Sequence, residues 1–174
     1  MRIISGNHKG KKIQAPKSLP VRPTTDRAKE SVFNILENRY NLSEKRILDL
    51  FSGTGNLSYE FSSRNTYEIT AVDINPKCVN FIKKTNQNLN FNIKTILSDS
   101  FKFIEKTDEN FDIIFMDPPY NYNRYHDLKD LIIERKILNK DGCLIIEHDK
   151  TTRFDEKNIE VRKYGSVFFT MFNI

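Results

Sequence analysis

Arg46-Ile47-Leu48-Asp49-Leu50-Phe51-Ser52-Gly53-Thr54-Gly55-Asn56-Leu57-Ser58 decides the fold. A short apolar run ends in an acid, passes through two glycines one residue apart, and enters a stretch with helical spacing. Strand, tight turn and helix in that order open a βαβ unit, and the glycines let the backbone turn sharply and approach a ligand. As a dinucleotide fingerprint the match is incomplete, because Ser58 holds the third small position.

The alternation continues downstream. A helix from about Leu57 to Arg64 leads to a second strand, Glu68 to Val72. Pro76 opens a helix with Val79, Ile82 and Lys83 along one side, and Ile93 to Leu97 form a third strand. A short helix through Phe101 and Ile104 precedes a fourth strand, Phe111 to Met116. A helix over Leu128 to Leu138 and a fifth strand, Cys143 to Glu147, complete the series. Strands alternating with helices predict an α/β fold, a mostly parallel sheet covered on both faces. The end differs. Ile159 to Lys163 and Val167 to Met171 flank Tyr164-Gly165-Ser166, so an antiparallel C-terminal hairpin closes the sheet.

Upstream, Arg2 to Ser5 and Lys11 to Gln14 flank a glycine-bounded loop and predict a small N-terminal β-hairpin. Three prolines make residues 15–23 an extended connector, and a helix follows from Asp26 to Arg39. The expected division is residues 1–25, a basic hairpin and connector, and residues 26–174, the α/β domain. Net charge is +5, yet residues 1–25 hold six Lys and Arg and no acid, so the rest is close to neutral. A basic edge on a near-neutral body suits a polyanion. No apolar run approaches the roughly 18 residues of a membrane span. The N-terminus has no long apolar h-region, and Cys78 and Cys143 stand far apart, so a cytoplasmic chain with reduced thiols is expected. Neither the cysteines nor His8, His126 and His148 have metal-ligand spacing, so no metal is expected; His126 and His148 read as surface residues.

The chemistry sits at strand ends. Asp73 follows the second strand, where an acid can accept from ribose hydroxyls, and Asp99 follows the third, with Phe101 near enough to pack on an aromatic ring. The fourth strand runs into Asp117-Pro118-Pro119-Tyr120. The prolines fix φ and remove two donors, leaving a carboxylate, carbonyl oxygens and a flat ring side by side. That set fits a planar amino group on a base. Which base it carries is not written in these residues.

Asp49, Gly53-Thr54-Gly55, Asp73, Asp99 and Asp117-Pro118-Pro119-Tyr120, in this order, resemble the class I S-adenosylmethionine-dependent methyltransferases with a Rossmann-like core. Arg2-Ile3-Ile4-Ser5-Gly6, Lys9-Gly10-Lys11 and Arg22-Pro23-Thr24-Thr25-Asp26-Arg27 narrow the resemblance to the bacterial 16S rRNA guanine-N2 methyltransferases. It implies methyl transfer from S-adenosyl-L-methionine, leaving S-adenosyl-L-homocysteine, to a hairpin-loop guanine of 16S rRNA within a partly assembled small subunit, by a monomer. Asp117, Pro118, Pro119 and Tyr120 would be catalytic. Asp49, Phe51, Gly53, Gly55, Asp73, Ile74, Asp99, Ser100, Phe101 and Asp117 would hold the cofactor, and Arg2, Lys9, Lys11, Lys12, Arg22 and Arg27 the RNA. Arg22 and Asp26 would close over the cofactor or order against the RNA. Ser52, Asn56, Ser58 and Asp73 depart from the family's usual Ala, Ala, Gly and Glu. The rivals are a DNA amino-methyltransferase acting on adenine N6 or cytosine N4, a nicotinamide-dependent oxidoreductase, and a non-catalytic RNA-binding module. A DNA enzyme usually needs an added recognition domain for which 174 residues leave no room.

Overall fold

A computed structural model of the chain describes residues 1–16, 19, 25–119 and 121–174. Arg22 and Tyr120 lie outside the described residues, as does most of the proline connector. In chain order the elements are α1 (Asp26–Arg39), β1 (Arg46–Asp49), α2 (Asn56–Ser63), β2 (Glu68–Asp73), α3 (Pro76–Leu89), β3 (Ile93–Leu97), α4 (Ser100–Lys106), β4 (Phe111–Met116), α5 (Tyr125–Glu134), β5 (Leu138–His148), β6 (Ile159–Tyr164) and β7 (Val167–Asn173). One seven-stranded sheet runs β3-β2-β1-β4-β5-β7-β6. The pairs among β1 to β5 are parallel, and β7 lies antiparallel between β5 and β6. The Rossmann-like sheet with an antiparallel C-terminal hairpin is the expected one.

Side chains alternate between two cores, as the strand period of two requires. Ile47, Ile113, Phe115, Cys143 and Ile145 point into a core closed by α1, α2, α3 and the N-terminal hairpin. Leu48, Ile114, Met116, Leu144 and Ile146 point into the other, under α4 and α5. Both faces are covered, which is why β4 reads as an almost unbroken apolar run. Each such side chain, once buried, contributes ~1.5–3 kcal/mol.

Three expectations need correction. The helix read over 128–138 is α5, Tyr125–Glu134. Lys136 takes φ +53, which ends the helix, and Leu138 pairs with Phe111. Strand β5 therefore begins at Leu138 rather than at Cys143, with a register shift between its first pair and Ile113↔Cys143. His148 is buried rather than at the surface, although His126 is exposed. Its Nδ1 donates to the Asp149 carbonyl at 2.8 Å and its Nε2 accepts from the Thr170 hydroxyl at 2.7 Å. Burial holds its pKa down, so the ring is neutral.

The N-terminal hairpin is shorter than expected, with one bridge, Arg2↔Lys12. Ile3 N–H still reaches Lys11 O, and Ile13 N–H reaches Met1 O, both at 3.0 Å. Beyond Ile3 the backbone donors turn to α2 instead. Ile4 N–H bonds the Glu60 carboxylate at 2.6 Å, Asn7 N–H the Ser63 carbonyl at 2.7 Å, and His8 N–H the Ser63 hydroxyl at 2.9 Å. Gly6 has φ +80, and a Cβ there would fall 1.9 Å from Ser63 O, so only glycine lets the chain lie this close. Two fully buried charges complete the joint. Lys29 Nζ lies 2.8 Å from Glu60 and also donates to Arg2 O at 2.7 Å and to Asn56 Oδ1 at 2.9 Å. Arg64 pairs with the second oxygen of Glu60.

Removing one partner of a buried pair strands the other charge, at a cost of about 3–5 kcal/mol. Arg64 remains beside Glu60, so Lys29→Met is expected to lower the unfolding free energy by about 3 kcal/mol. Urea denaturation checks this; a change within experimental scatter would show that the joint is not a structural anchor.

Candidate active site

Strand order reverses between β1 and β4: from β1 the chain moves outward to β2 and β3, then returns to lay β4 on the other side of β1. Open α/β sheets bind ligands at the carboxyl ends of the strands flanking such a reversal. Leu50 N–H donates to Phe115 O at 2.9 Å, and past this point the two chains separate. One becomes Phe51 to Gly55, the other Asp117-Pro118-Pro119.

The glycine loop is held from below by acids. Asp73 accepts from Gly53 N–H and from Asn75 N–H, each at 2.7 Å, so both oxygens are fixed by backbone and keep lone pairs for further donors. Gly55 has φ +81, and a Cβ would lie 2.7 Å from the Tyr59 ring, so part of the need for glycine is internal packing. Asp49 is buried beneath the loop and accepts from the Ser58 hydroxyl at 2.6 Å. Ser58 and Asn56, which depart from the family pattern, thus have definite roles: one satisfies Asp49, the other accepts from Lys29. At the next strand end Asp99 caps α4, accepting from Lys102 N–H at 3.1 Å. Ser100 donates to Leu50 O at 3.3 Å and ties α4 to the end of β1.

Asp73 ends β2 level with Leu97 of β3, and Ser98 N–H donates to Asp73 O at 3.1 Å, so Asp99 and Phe101 follow at the neighbouring strand end; Ile74 is 69% exposed. An exposed isoleucine and a half-buried phenylalanine offer flat apolar contact, and fixed carboxylates offer acceptors for a diol or an amine. The Arg124 guanidinium sits 3.7 Å from the centroid of the Phe101 ring. On the β4 side Asp117 is half-buried, Pro118 buried and Pro119 exposed. Pro119 O accepts from Tyr122 N–H at 2.8 Å, which folds the loop back. Tyr122 packs edge-on to Phe51 and to Tyr125, both at 5.3 Å. Nothing in the sequence pattern singled out Tyr122 or Arg124, because both follow the motif in a loop without periodicity. The Tyr122 hydroxyl is buried with no partner among the described residues, and burial raises its pKa to about 12.

The expected RNA-facing residues lie on elements other than those that line this crevice. Arg2, Lys9, Lys11, Lys12 and Arg27 are exposed on the hairpin and the first turn of α1. Arg2 is bonded to Asp26 at 3.1 Å, so Asp26 orders the hairpin's open end. The Thr54 hydroxyl lies 3.9 Å from Met1 Sδ, which sets that end beside the glycine loop. Among the described residues no group of His, Cys, Asp and Glu has the geometry of a metal site.

Burial raises the Asp49 pKa to about 6, against the Ser58 hydrogen bond, and the nearby Asp73 charge adds to the rise. An acid with a raised folded pKa is proton-rich in the native state, so it costs nothing near pH 4 and destabilises the fold as pH climbs to about 6. The penalty reaches about 3 kcal/mol at neutral pH. Thermal melts should show wild type losing stability relative to Asp49→Asn between about pH 4 and 6.5; parallel curves would mean that Asp49 does not titrate there.

Comparison with known proteins bears on this geometry. The family model described as conserved hypothetical protein 95 matches residues 1–173. A ribosomal RNA small subunit methyltransferase D of Buchnera aphidicola is 35% identical over 150 residues, covering 85% of this chain and 78% of that protein. Its Haemophilus influenzae namesake is 32% identical over 155 residues, covering 86% and 79%. A Thermus thermophilus hypothetical protein superposes with a TM-score of 0.89 at 24% identity, covering 100% of this chain and 99% of that one. The chain therefore belongs to the conserved hypothetical protein 95 family, with the ribosomal RNA small subunit methyltransferases D among its relatives.

Proposed function

We propose that the chain transfers a methyl group from S-adenosyl-L-methionine to the exocyclic N2 amine of a guanine in a 16S rRNA hairpin loop, in the cytoplasm. The observation that carries this reading is the meeting at the β1/β4 reversal of two halves of a site. Gly53, Asp73, Ile74, Asp99 and Phe101 form a cradle suited to a nucleoside, and Asp117-Pro118-Pro119 opens beside it. The membership just established supplies ribosomal RNA as the substrate class, and the resemblance of the N-terminal motifs supplies guanine.

The donor set fits the cofactor. Asp73, fixed by two backbone donors, would accept from the ribose diol. Ile74 and Phe101 would flank the adenine, and Asp99 would take its amino group. Asp49, Phe51, Gly55 and Ser100 shape the floor, and Asp117 borders both halves. When bound, the cofactor supplies an electrophilic methyl on a sulfonium. Every other part of the step falls to the protein.

A guanine amino nitrogen is a poor nucleophile because its lone pair is delocalised into the ring. The Asp117 carboxylate and the Pro118 carbonyl each accept one N–H and aim the lone pair along the line of transfer. As the nitrogen becomes pyramidal and positive, placed acceptors stabilise the charge. The N–C bond forms as the C–S bond breaks, and one N–H proton leaves through Asp117 to solvent. Positioning provides much of the rate. Tyr120 would stack on the base once it is swung out, worth ~1–3 kcal/mol. Exposed Arg2, Lys9, Lys11, Lys12 and Arg27, with Arg22, would meet phosphates.

Asp117→Asn keeps the shape but replaces one acceptor with a donor. A loss of about 100-fold or more in kcat is expected, by analogy with removal of a transition-state donor, with cofactor affinity nearly unchanged. Mass-spectrometric mapping of small-subunit RNA from cells with and without the chain should show a single N2-methylguanine present only with it. A lost N6-methyladenine, unchanged RNA, or methyl incorporation into duplex DNA alone would overturn the proposal.

A further inference from the structure

Between Asp73 and Asp99 the chain has no acid over 25 residues, while Lys77, Lys83, Lys84 and Lys94 fall within them. Most of that span is α3. Its buried side is Cys78, Val79, Ile82 and Thr85. Its exposed side carries Lys77, Lys83 and Lys84 interleaved with Asn80, Gln87 and Asn88. Those positions step by three and four, so cations and amides share one face.

That face continues the basic hairpin. Phe91, just past the C-cap of α3, packs at 4.6 Å from the ring of His8 at the hairpin tip. It also stacks on Tyr59 of α2 at 5.7 Å. Hairpin, α2 and α3 close the same core on the same face of the sheet. The two acid-free segments therefore abut at His8 and Phe91.

Several cations elsewhere are matched by neighbours, whereas what sets the hairpin and α3 apart is that each is an acid-free stretch and the two adjoin. Arg46 reaches Glu68 and Glu109, Lys94 reaches Glu109, Lys129 reaches Asp130 and Glu156, and Arg124 reaches Asp127. Among the described residues none of Lys9, Lys11, Lys12, Lys77, Lys83 and Lys84 has a carboxylate within ion-pair distance. Unmatched like charges repel, and a polyanion relieves that repulsion. Lysine with asparagine and glutamine amides is a donor set for phosphate and sugar oxygens, carrying no base readout.

We infer that the exposed face of α3 is a second RNA-backbone contact surface, continuous with the N-terminal hairpin, which seats the rRNA while the β1/β4 crevice takes the base. The inference rests on the rRNA-methylation reading. It adds a footprint that reaches past the hairpin along the face of α3.

The test measures binding of in vitro transcribed small-subunit rRNA across a salt series. It compares wild type, the triple variant Lys77→Gln/Lys83→Gln/Lys84→Gln, and a control on the opposite sheet face, Lys102→Gln/Lys106→Gln on α4. Each phosphate contact removed should flatten the log–log salt slope by about 0.7–0.9, so the triple variant should lose roughly 2 and bind about tenfold or more weakly at about 0.1 M salt. The control should keep the wild-type slope, and all three proteins should bind S-adenosyl-L-methionine alike by calorimetry. A triple variant with wild-type slope and affinity overturns the inference while leaving the methylation reading intact. Equal losses in the α4 control also overturn it, reducing the effect to net charge. If wild type neither binds nor methylates the RNA, the functional reading falls, and this surface with it.

Discussion

The hydrogen bond from Leu50 N–H to Phe115 O is where the sheet stops and the site begins. Up to that point β1 and β4 are neighbouring parallel strands, with Asp49 level with Phe115. Beyond it the chain from β1 turns toward the face of α1, α2 and α3, and the chain from β4 runs on toward α5 on the other face. A crevice must open between chains that leave in opposite directions. The glycine loop, the acids at the ends of β2 and β3, and Asp117 all border it because parallel strands end on the same side.

The crevice is held in shape by unusually costly parts. Asp49 lies buried under the glycine loop with its pKa raised to about 6 by burial, and the hydrogen bond from the Ser58 hydroxyl works against that rise. Glu60 is fully buried between Lys29 and Arg64. Helix α2 has only eight residues, yet all but Ser62 are buried, because the sheet lies on one side and the hairpin on the other. Its Asn56, Glu60 and Ser63 fall at i, i+4 and i+7, and each bonds the hairpin itself or the lysine that binds it. One short helix therefore carries the cofactor-side loop at its start and the hairpin joint along its length. Displacement of the hairpin would expose charges that the fold has desolvated.

Most of the strands were legible because burial on both faces forces continuous apolar runs, as in Phe111 to Met116. The acids at strand ends were legible because a polar residue closing such a run has few structural reasons to be there. Asp99 shows that those reasons still operate, since it caps α4 while facing the site edge. The α2 stripe could not be read the same way. Polar residues at helical spacing ordinarily mark a solvated face, and only the hairpin packed over them makes them interior. His148 hid for a related reason: Phe154 and Phe168 fold over its ring from later in the chain.

By itself the sequence determined the order of strands and helices, the glycine turn, the acids at four strand ends and the acid-free N-terminus, because these follow from local periodicity, backbone freedom and charge count. Only the tertiary structure decided that α2 has no solvent face, that α5 ends at Glu134, that Tyr122 and Arg124 border the site, and that α3 adjoins the hairpin through Phe91 and His8. Each of those depends on which distant segment covers a side chain. A pairwise contact between residues far apart in the chain leaves no period to read.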